Sequence, residues 1–312
     1  MSSSTEFEVQ EVLRSFGGYN RHVEHVQFKN GREGVRKTLP ERFGRPLEEI
    51  MQLSKDYQTG LIEVGVSVVP ISALFIDGSD GAKRLVEIQP VFGETAENIM
   101  ADSSTDALPP ILKTYLIDIV KPLFRSTKDR KLDIGLDIGP RNGLSNGRGG
   151  FSHCDLVPPK IRLENGKVTL EYPEPTDPAV YSIGEVRHFD KGGLILQLLT
   201  QLCKRNPDRR QLFQKCLVEF LIEIGEKGIA ETIQQTYTQK QIEKLECSGD
   251  GYLRLRDAAC YVSYLDRYNS RTPQRLNHLF VLLHMQDQLV PTENVEQFKT
   301  EVLHWMDEIQ GG

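Results

Sequence analysis

Cysteine is scarce and scattered along this chain: Cys154, Cys203, Cys216, Cys247 and Cys260, with no CxxC pair and no Cys/His cluster at zinc spacing. That excludes a disulfide framework and a thiolate metal site, and leaves buried or free thiols. Positive charge is also short. The 38 Lys and Arg are outnumbered by 44 Asp and Glu, a net charge of −6, so no basic field is there to hold a nucleic-acid backbone or an anionic membrane. Long apolar runs are missing too: no uncharged stretch reaches the roughly 18 residues of a membrane helix. The opening MSSSTEFEVQEV is polar and acidic, where a secretory signal needs positive charge followed by an apolar core. The expectation is a cytoplasmic protein. No repeat of solenoid period is present, and only the Ser-rich start is of low complexity.

What is present is ordinary globular composition, 38% hydrophobic with 26 Gly and 16 Pro in 312 residues. That length supports one large domain or two lobes sharing a cleft, with a core that needs no metal or disulfide staples. The first part reads as strands around one helix. His22 to Phe28 alternates apolar and polar, Lys29-Asn30-Gly31 supplies turn chemistry, and Val35 to Leu39 resumes as a strand carrying Lys37. Upstream, Gly17-Gly18 follows an apolar stretch of Val12, Leu13 and Phe16. From Pro46, apolar residues at Ile50, Leu53, Tyr57 and Leu61 predict a helix with Glu48 and Glu49 in its first turn. Strands are expected again from Val64 to Phe75 and from Arg84 to Gln89, the latter stopped by Pro90. From Leu108 the period becomes helical behind Pro109 and Pro110, and turns and short strands fill 133–170. Everything after Phe189 is helical in period, through Leu194, Leu198, Phe213 and Leu217 to Leu276, Leu279, Phe280 and Leu283. The fold class expected is α+β: a strand-rich part over 1–93 and a mainly helical part over 94–312.

The informative segment is LDIGLDIGPRNGLSNGRGGFSHCDLVPPK. Asp137, Pro140 and Asn142 form D-x-x-P-x-N, and Asp155 follows Asn142 by thirteen residues, after the Gly-rich turn Asn146 to Gly150. An oxygen-only pair of one amide and one carboxylate suits magnesium, which keeps waters and phosphates as its other ligands. A further carboxylate kept off the metal is then able to take a proton. Each residue alone reads as a turn former; the triple spacing between strand-rich and helical parts is what points to chemistry.

This spacing resembles the catalytic loop and metal-binding strand of the protein-kinase-like superfamily, particularly its small-molecule phosphotransferase branch of aminoglycoside and choline kinase type. The resemblance covers roughly residues 10 to 205. It implies a two-lobed kinase-like fold with a small antiparallel sheet and a larger helical lobe. It also implies ATP and magnesium, with Asp137 accepting or orienting the acceptor's hydroxyl proton and Asn142 and Asp155 holding the metal. Lys37 corresponds to the phosphate-binding lysine, Gly17 and Gly18 to a short phosphate loop, and VEIQPVFG, with Glu87 and Gln89, to the strand and hinge that hold adenine. Phe189-Asp190 stands where an Asp often buttresses the catalytic loop. The departures are Gly135, where many relatives have His, Leu156-Val157 after the metal Asp, and an unassigned acid partner for Lys37, for which Glu49 and Asp56 both qualify.

A second register starts the catalytic loop at His153-Cys154-Asp155-Leu156, but it puts Lys160 in place of the Asn and Glu171 near the metal position, whereas the first keeps all three oxygen-bearing residues at their spacing. The leading expectation is therefore an ATP- and magnesium-dependent phosphotransferase acting on a small-molecule hydroxyl, with neither nucleic acid nor membrane as partner. Its rivals are a pseudokinase or nucleotide-binding module and a protein kinase. The latter is disfavoured by the Pro-rich run that follows Asp155 so soon.

Overall fold

In a computed structural model of the chain, which describes residues 4–16, 22–40, 46–78, 81–156, 160–162, 168–170 and 188–236, the period-two segments build a five-stranded antiparallel sheet. Its strands are β1 (Val9–Phe16), β2 (His22–Phe28), β3 (Glu33–Pro40), β4 (Ala73–Asp77) and β5 (Arg84–Gln89), in the order β1-β2-β3-β5-β4. The β2–β3 hairpin turns at Gly31, whose φ of +80° few other residues adopt. Between β3 and β4 the chain crosses as α1 (Leu47–Glu63), which opens with Glu48 and Glu49 at its positive end.

Alternation gives the sheet two unlike faces. Leu39 and Leu85 pack against Leu47 and Ile50 of α1 on one face, and Lys37 and Glu87 continue that face along the same two strands. On the other, Val26, Phe28, Ala73, Val86 and Ile88 form a small core. The ring of Phe7 closes it, edge-on to Phe28 at 5.5 Å.

The strand expected from Val64 does not form there; the chain becomes a strand only at Ala73. α1 runs on to Glu63 and ends at Gly65 (φ +91°), with Val66 N–H returning to Leu61 O. The apolar alternation over 64–69 belongs to a connector that buries Val66 and Val69. Its backbone bonds go to a later strand: Val69 N donates to His153 O and His153 N to Ser67 O, both at 2.8 Å.

After the sheet comes α2 (Ala96–Asp102), which the period did not reveal because it has only 7 residues. The hydroxyl of Thr95 caps it by accepting from Asn98 N at 3.2 Å. α3 (Leu108–Tyr115), with prolines in its first turn, passes through a π turn over Leu116–Val120 into α4 (Lys121–Ser126). The wider turn falls just before Pro122, which brings no N–H of its own. Two short hairpins follow, β6 (Gly143–Ser145) with β7 (Phe151–His153) and β8 (Lys160–Arg162) with β9 (Val168–Leu170). Helices α5 (Lys191–Arg205), α6 (Arg210–Glu223) and α7 (Lys227–Thr236) complete the described chain. The main core lies among the helices, with Tyr115, Leu116, Leu123, Leu194, Leu198, Phe213 and Leu217 all buried. The helical pattern at Leu276 to Leu283 and the thiols Cys247 and Cys260 lie outside the described residues. Among the described residues no helix is long and apolar enough to cross a membrane.

Candidate functional site

Asp137 sits in a segment, 133–139, that belongs to no strand, although Leu136 and Ile138 on either side of it are fully buried. Buried backbone needs hydrogen-bond partners from somewhere. Residues 188–191 supply part of the answer: Leu132 N donates to Phe189 O at 2.6 Å, Leu136 N to His188 O at 3.1 Å, and Lys191 N to Arg130 O at 3.0 Å. Asp190 locks this pairing by capping α5 through Gly193 N (2.9 Å) and by an ion pair with Arg130 Nε at 2.5 Å. Phe189 also accounts for Gly135. A Cβ at that position would lie 2.5 Å from the Phe189 ring, so the packing of Phe189 calls for glycine here.

The carbonyls of the same segment are held one by one. Tyr57 Oη of α1 donates to Gly135 O at 2.8 Å, His188 Nδ1 to Leu136 O at 3.1 Å, Asn142 Nδ2 to Asp137 O at 3.1 Å, and Tyr115 Oη of α3 to Ile138 O at 2.8 Å. A carbonyl only accepts, so Nδ1 of His188 carries its hydrogen. Four side chains from separate parts of the fold thus fix the backbone across Asp137.

Asn142 closes a short 3-10 turn over Pro140–Asn142. Its amide nitrogen is committed to Asp137 O, which leaves Oδ1 as the oxygen available to a cation. The β6–β7 hairpin then folds back so that Cys154 N donates to Asn142 O at 2.8 Å, which sets Asp155 beside the Asn142 end of the hairpin. Between Asn142 and Asp155 the fully buried His153 holds the strand end, donating from Nε2 to Asp155 O at 2.7 Å. Burial lowers the His153 pKa; the carboxylates of Asp155 and Asp137 oppose that, and the charge of Lys37 adds to it. The fields of three candidate residues, Asp137, Asp155 and Lys37, therefore meet at one imidazole. The Tyr115 hydroxyl is likewise pushed well above its ordinary range, by burial first and then by Asp137.

Lys37 reaches this region from the sheet. Its ammonium donates to Cys154 O and lies 3.2 Å from Glu87 Oε1. Gln89 Nε2 donates to the same Cys154 carbonyl at 3.2 Å. The ion pair of Lys37 is thus made within the sheet, not with Glu49 or Asp56, which are exposed on α1, Asp56 accepting from Gln52 at 2.8 Å. Direct cross-strand register of β3 on β5 puts Glu87 opposite Lys37 whatever the pose of the helix. Arg36 points to the other face and pairs with Glu24. Glu87 and Gln89, expected at the adenine, are buried with their side chains turned to Lys37 and to Cys154. Gly17 and Gly18 lie outside the described residues.

The structure brings Asp137, Asn142, Asp155, Lys37, Glu87 and Gln89 into one neighbourhood. Among the described residues no group of three or more His, Cys, Asp or Glu side chains comes together to hold a metal. The donors on offer are one amide oxygen and one carboxylate, a set that fits magnesium sharing its shell with water and phosphate and not a closed protein cage. Arg141 adds a cation near the acid, its Nη2 3.9 Å from Asp137 Oδ2. Sequence reasoning missed Tyr57 and Tyr115 as site residues; both lay on apolar helix faces, and a buried tyrosine hydroxyl that must find an acceptor was the available signal. Neither a scan against protein-family models nor a search of the curated proteins finds a match to this chain, so the chemistry of the site is read from its own residues.

Proposed function

We propose that this protein is an ATP- and magnesium-dependent phosphotransferase acting on the hydroxyl of a small molecule, with a two-lobed kinase-like fold. One observation carries the reading: a buried lysine on the central strand of an antiparallel sheet meets the backbone just before Asp155, within a hairpin whose other end is Asn142. An antiparallel sheet followed by helices supports the reading, since the resemblance implies a small antiparallel-sheet lobe and a larger helical one.

In this reading Asn142 Oδ1 and the Asp155 carboxylate hold magnesium, which when bound neutralises phosphate charge. Lys37 binds phosphate oxygens. Asp137 orients the acceptor hydroxyl and takes its proton as the oxygen–phosphorus bond forms and the bond to the departing ADP oxygen breaks. The protein's part is positioning and fixed charge with no covalent intermediate, and it asks for a backbone that does not reorganise during the reaction.

A second reading, a nucleotide-binding module without transfer, is favoured by the commitment of Lys37 to both Glu87 and Cys154 O. A thermal melt with ATP, with and without magnesium, tests the shared part, since a ligand of the folded state must raise the transition temperature. Magnesium-dependent stabilisation together with ADP formation supports the first reading; stabilisation alone supports the second; no shift removes both.

A further inference from the structure

Resting on the phosphotransferase reading, we propose that Tyr57 and Tyr115 are positioning residues for Asp137, and that α1 acts on the proton acceptor and not on Lys37. The Asp137 side chain is 20% exposed, at the surface of a segment that has no strand of its own to stiffen it. Its position is therefore set by its flanking peptides. Tyr57 Oη holds the peptide carbonyl of Gly135 on one side and Tyr115 Oη that of Ile138 on the other, each at 2.8 Å. Both tyrosines are buried, and they come from different helices. Tilting either peptide to move Asp137 would strip a buried carbonyl of its donor, which the fold resists.

The two contacts differ in a way that can be read out. Tyr57 touches the loop on the Asp137 side. The Tyr115 ring also lies under Gly143, where an added Cβ would come within 2.5 Å of its Cε2, and Gly143 follows the metal candidate Asn142. The Tyr115 hydroxyl thus serves Asp137, while its ring supports the hairpin that carries Asn142 and Asp155. Meanwhile the ion-pair partner of Lys37 lies in the sheet, and α1 reaches the site through the bond from Tyr57 to Gly135.

The test uses the full chain with magnesium and ATP, water serving as acceptor, and measures ADP formation and Mg·ATP affinity separately. Tyr57→Phe and Tyr115→Phe keep their rings and lose only the hydroxyl. Each is expected to slow ADP formation at least about tenfold while Mg·ATP affinity stays within about twofold, because a small displacement of a reacting group is costly. Tyr115→Leu, which also removes the ring, should weaken Mg·ATP affinity as well. Ser126→Ala deletes another hydroxyl-to-carbonyl bond, to Leu123 O at 2.6 Å, and should change neither quantity. Amide hydrogen exchange over 133–139 should quicken in Tyr57→Phe, which reports the positioning without reference to turnover. Unchanged turnover in both Phe variants, or affinity falling in step with turnover, overturns the inference. A wild-type protein that neither binds nor cleaves ATP overturns the phosphotransferase reading and the inference with it; a wild type that does both beside normal Phe variants overturns the inference alone.

Discussion

The ammonium of Lys37 and the carboxylate of Glu87 are direct cross-strand neighbours, 3.2 Å apart, with side chains only 9% and 4% exposed. Such a pair carries a desolvation cost that its own attraction barely offsets, so it is weak evidence of stability taken alone. Breaking it is another matter. It also binds the lysine to a rigid strand, and the same ammonium reaches Cys154 O, so the sheet and the hairpin bearing Asp155 share one charged contact.

Lys37→Met should therefore destabilise the fold by about 3 kcal/mol in urea denaturation, because it leaves the Glu87 carboxylate buried and unpaired. Adding Glu87→Gln should recover part of that loss. The same Lys37 variant should lose the magnesium-dependent ATP shift, whereas Arg36→Met, on the opposite face with Glu24, should keep it. Equal effects of the two single substitutions on nucleotide binding would show that charge, and not facing, matters.

Gly135→Ala is expected to cost about 1–3 kcal/mol, as an overpacked core position does. The new methyl would meet Cε2, Cζ and Cδ2 of Phe189 at 2.5, 2.7 and 2.9 Å. Pairing it with Phe189→Leu should restore most of the stability, and a double-mutant cycle in urea measures the coupling. Additive costs would mean that the loop yields elsewhere and that Phe189 is not what demands the glycine.

The local parts of this architecture were legible. β2, β3 and β5 read off their alternation and turns, α1 off its spacing at Ile50, Tyr57 and Leu61, and Asp137, Asn142 and Asp155 stand within one short segment. What was not legible is set by contacts distant in sequence. The pairing of Lys37 with Glu87 depends on the register between β3 and β5, with α1 and β4 intervening, and acids on the helix looked equally near. Tyr57, Tyr115 and His188 act on main-chain carbonyls, and a carbonyl leaves no side-chain pattern to match. Residues 64–69 misled for a physical reason: Val64, Val66 and Val68 alternate in sequence as a strand would, but the connector buries Val66 and Val69, and Gly65 as a helix stop was the signal against a strand.

Glu24 gives a pH dependence with a definite sign. Burial alone would raise its pKa, but hydrogen bonds and charge from Arg36 and His22 outweigh burial and hold it below the usual 4.5. The unfolded carboxylate then takes up a proton before the folded one does. The stabilisation is present above that usual value and is lost as pH falls through the folded value. The gap in urea midpoint between wild type and Glu24→Gln should accordingly shrink from about pH 6 to about pH 3. A gap that stays constant over that range would show that the Arg36 contact contributes no pH-linked stability.

Asp137 and Asp155 should separate chemistry from metal binding. Asp137→Asn preserves shape, keeps the Asp137 carbonyl for Asn142 Nδ2, and leaves Asn142 Oδ1 and Asp155 in place. Mg·ATP affinity should stay near normal while phosphoryl transfer, or slow ATP hydrolysis, falls about 10²- to 10⁴-fold, the usual contribution of a positioned acid–base group. Asp155→Ala should do the reverse at the binding step and abolish the magnesium-dependent melt shift. The bond from Nε2 of His153 to the Asp155 backbone carbonyl remains in that variant. In the register that starts the catalytic loop at His153, Asp155 is the acid–base group and Asp137 only shapes a turn, so Asp137→Asn should be nearly fully active. Near-normal turnover in that variant would move the catalytic loop to His153 and take Asn142 out of the metal shell.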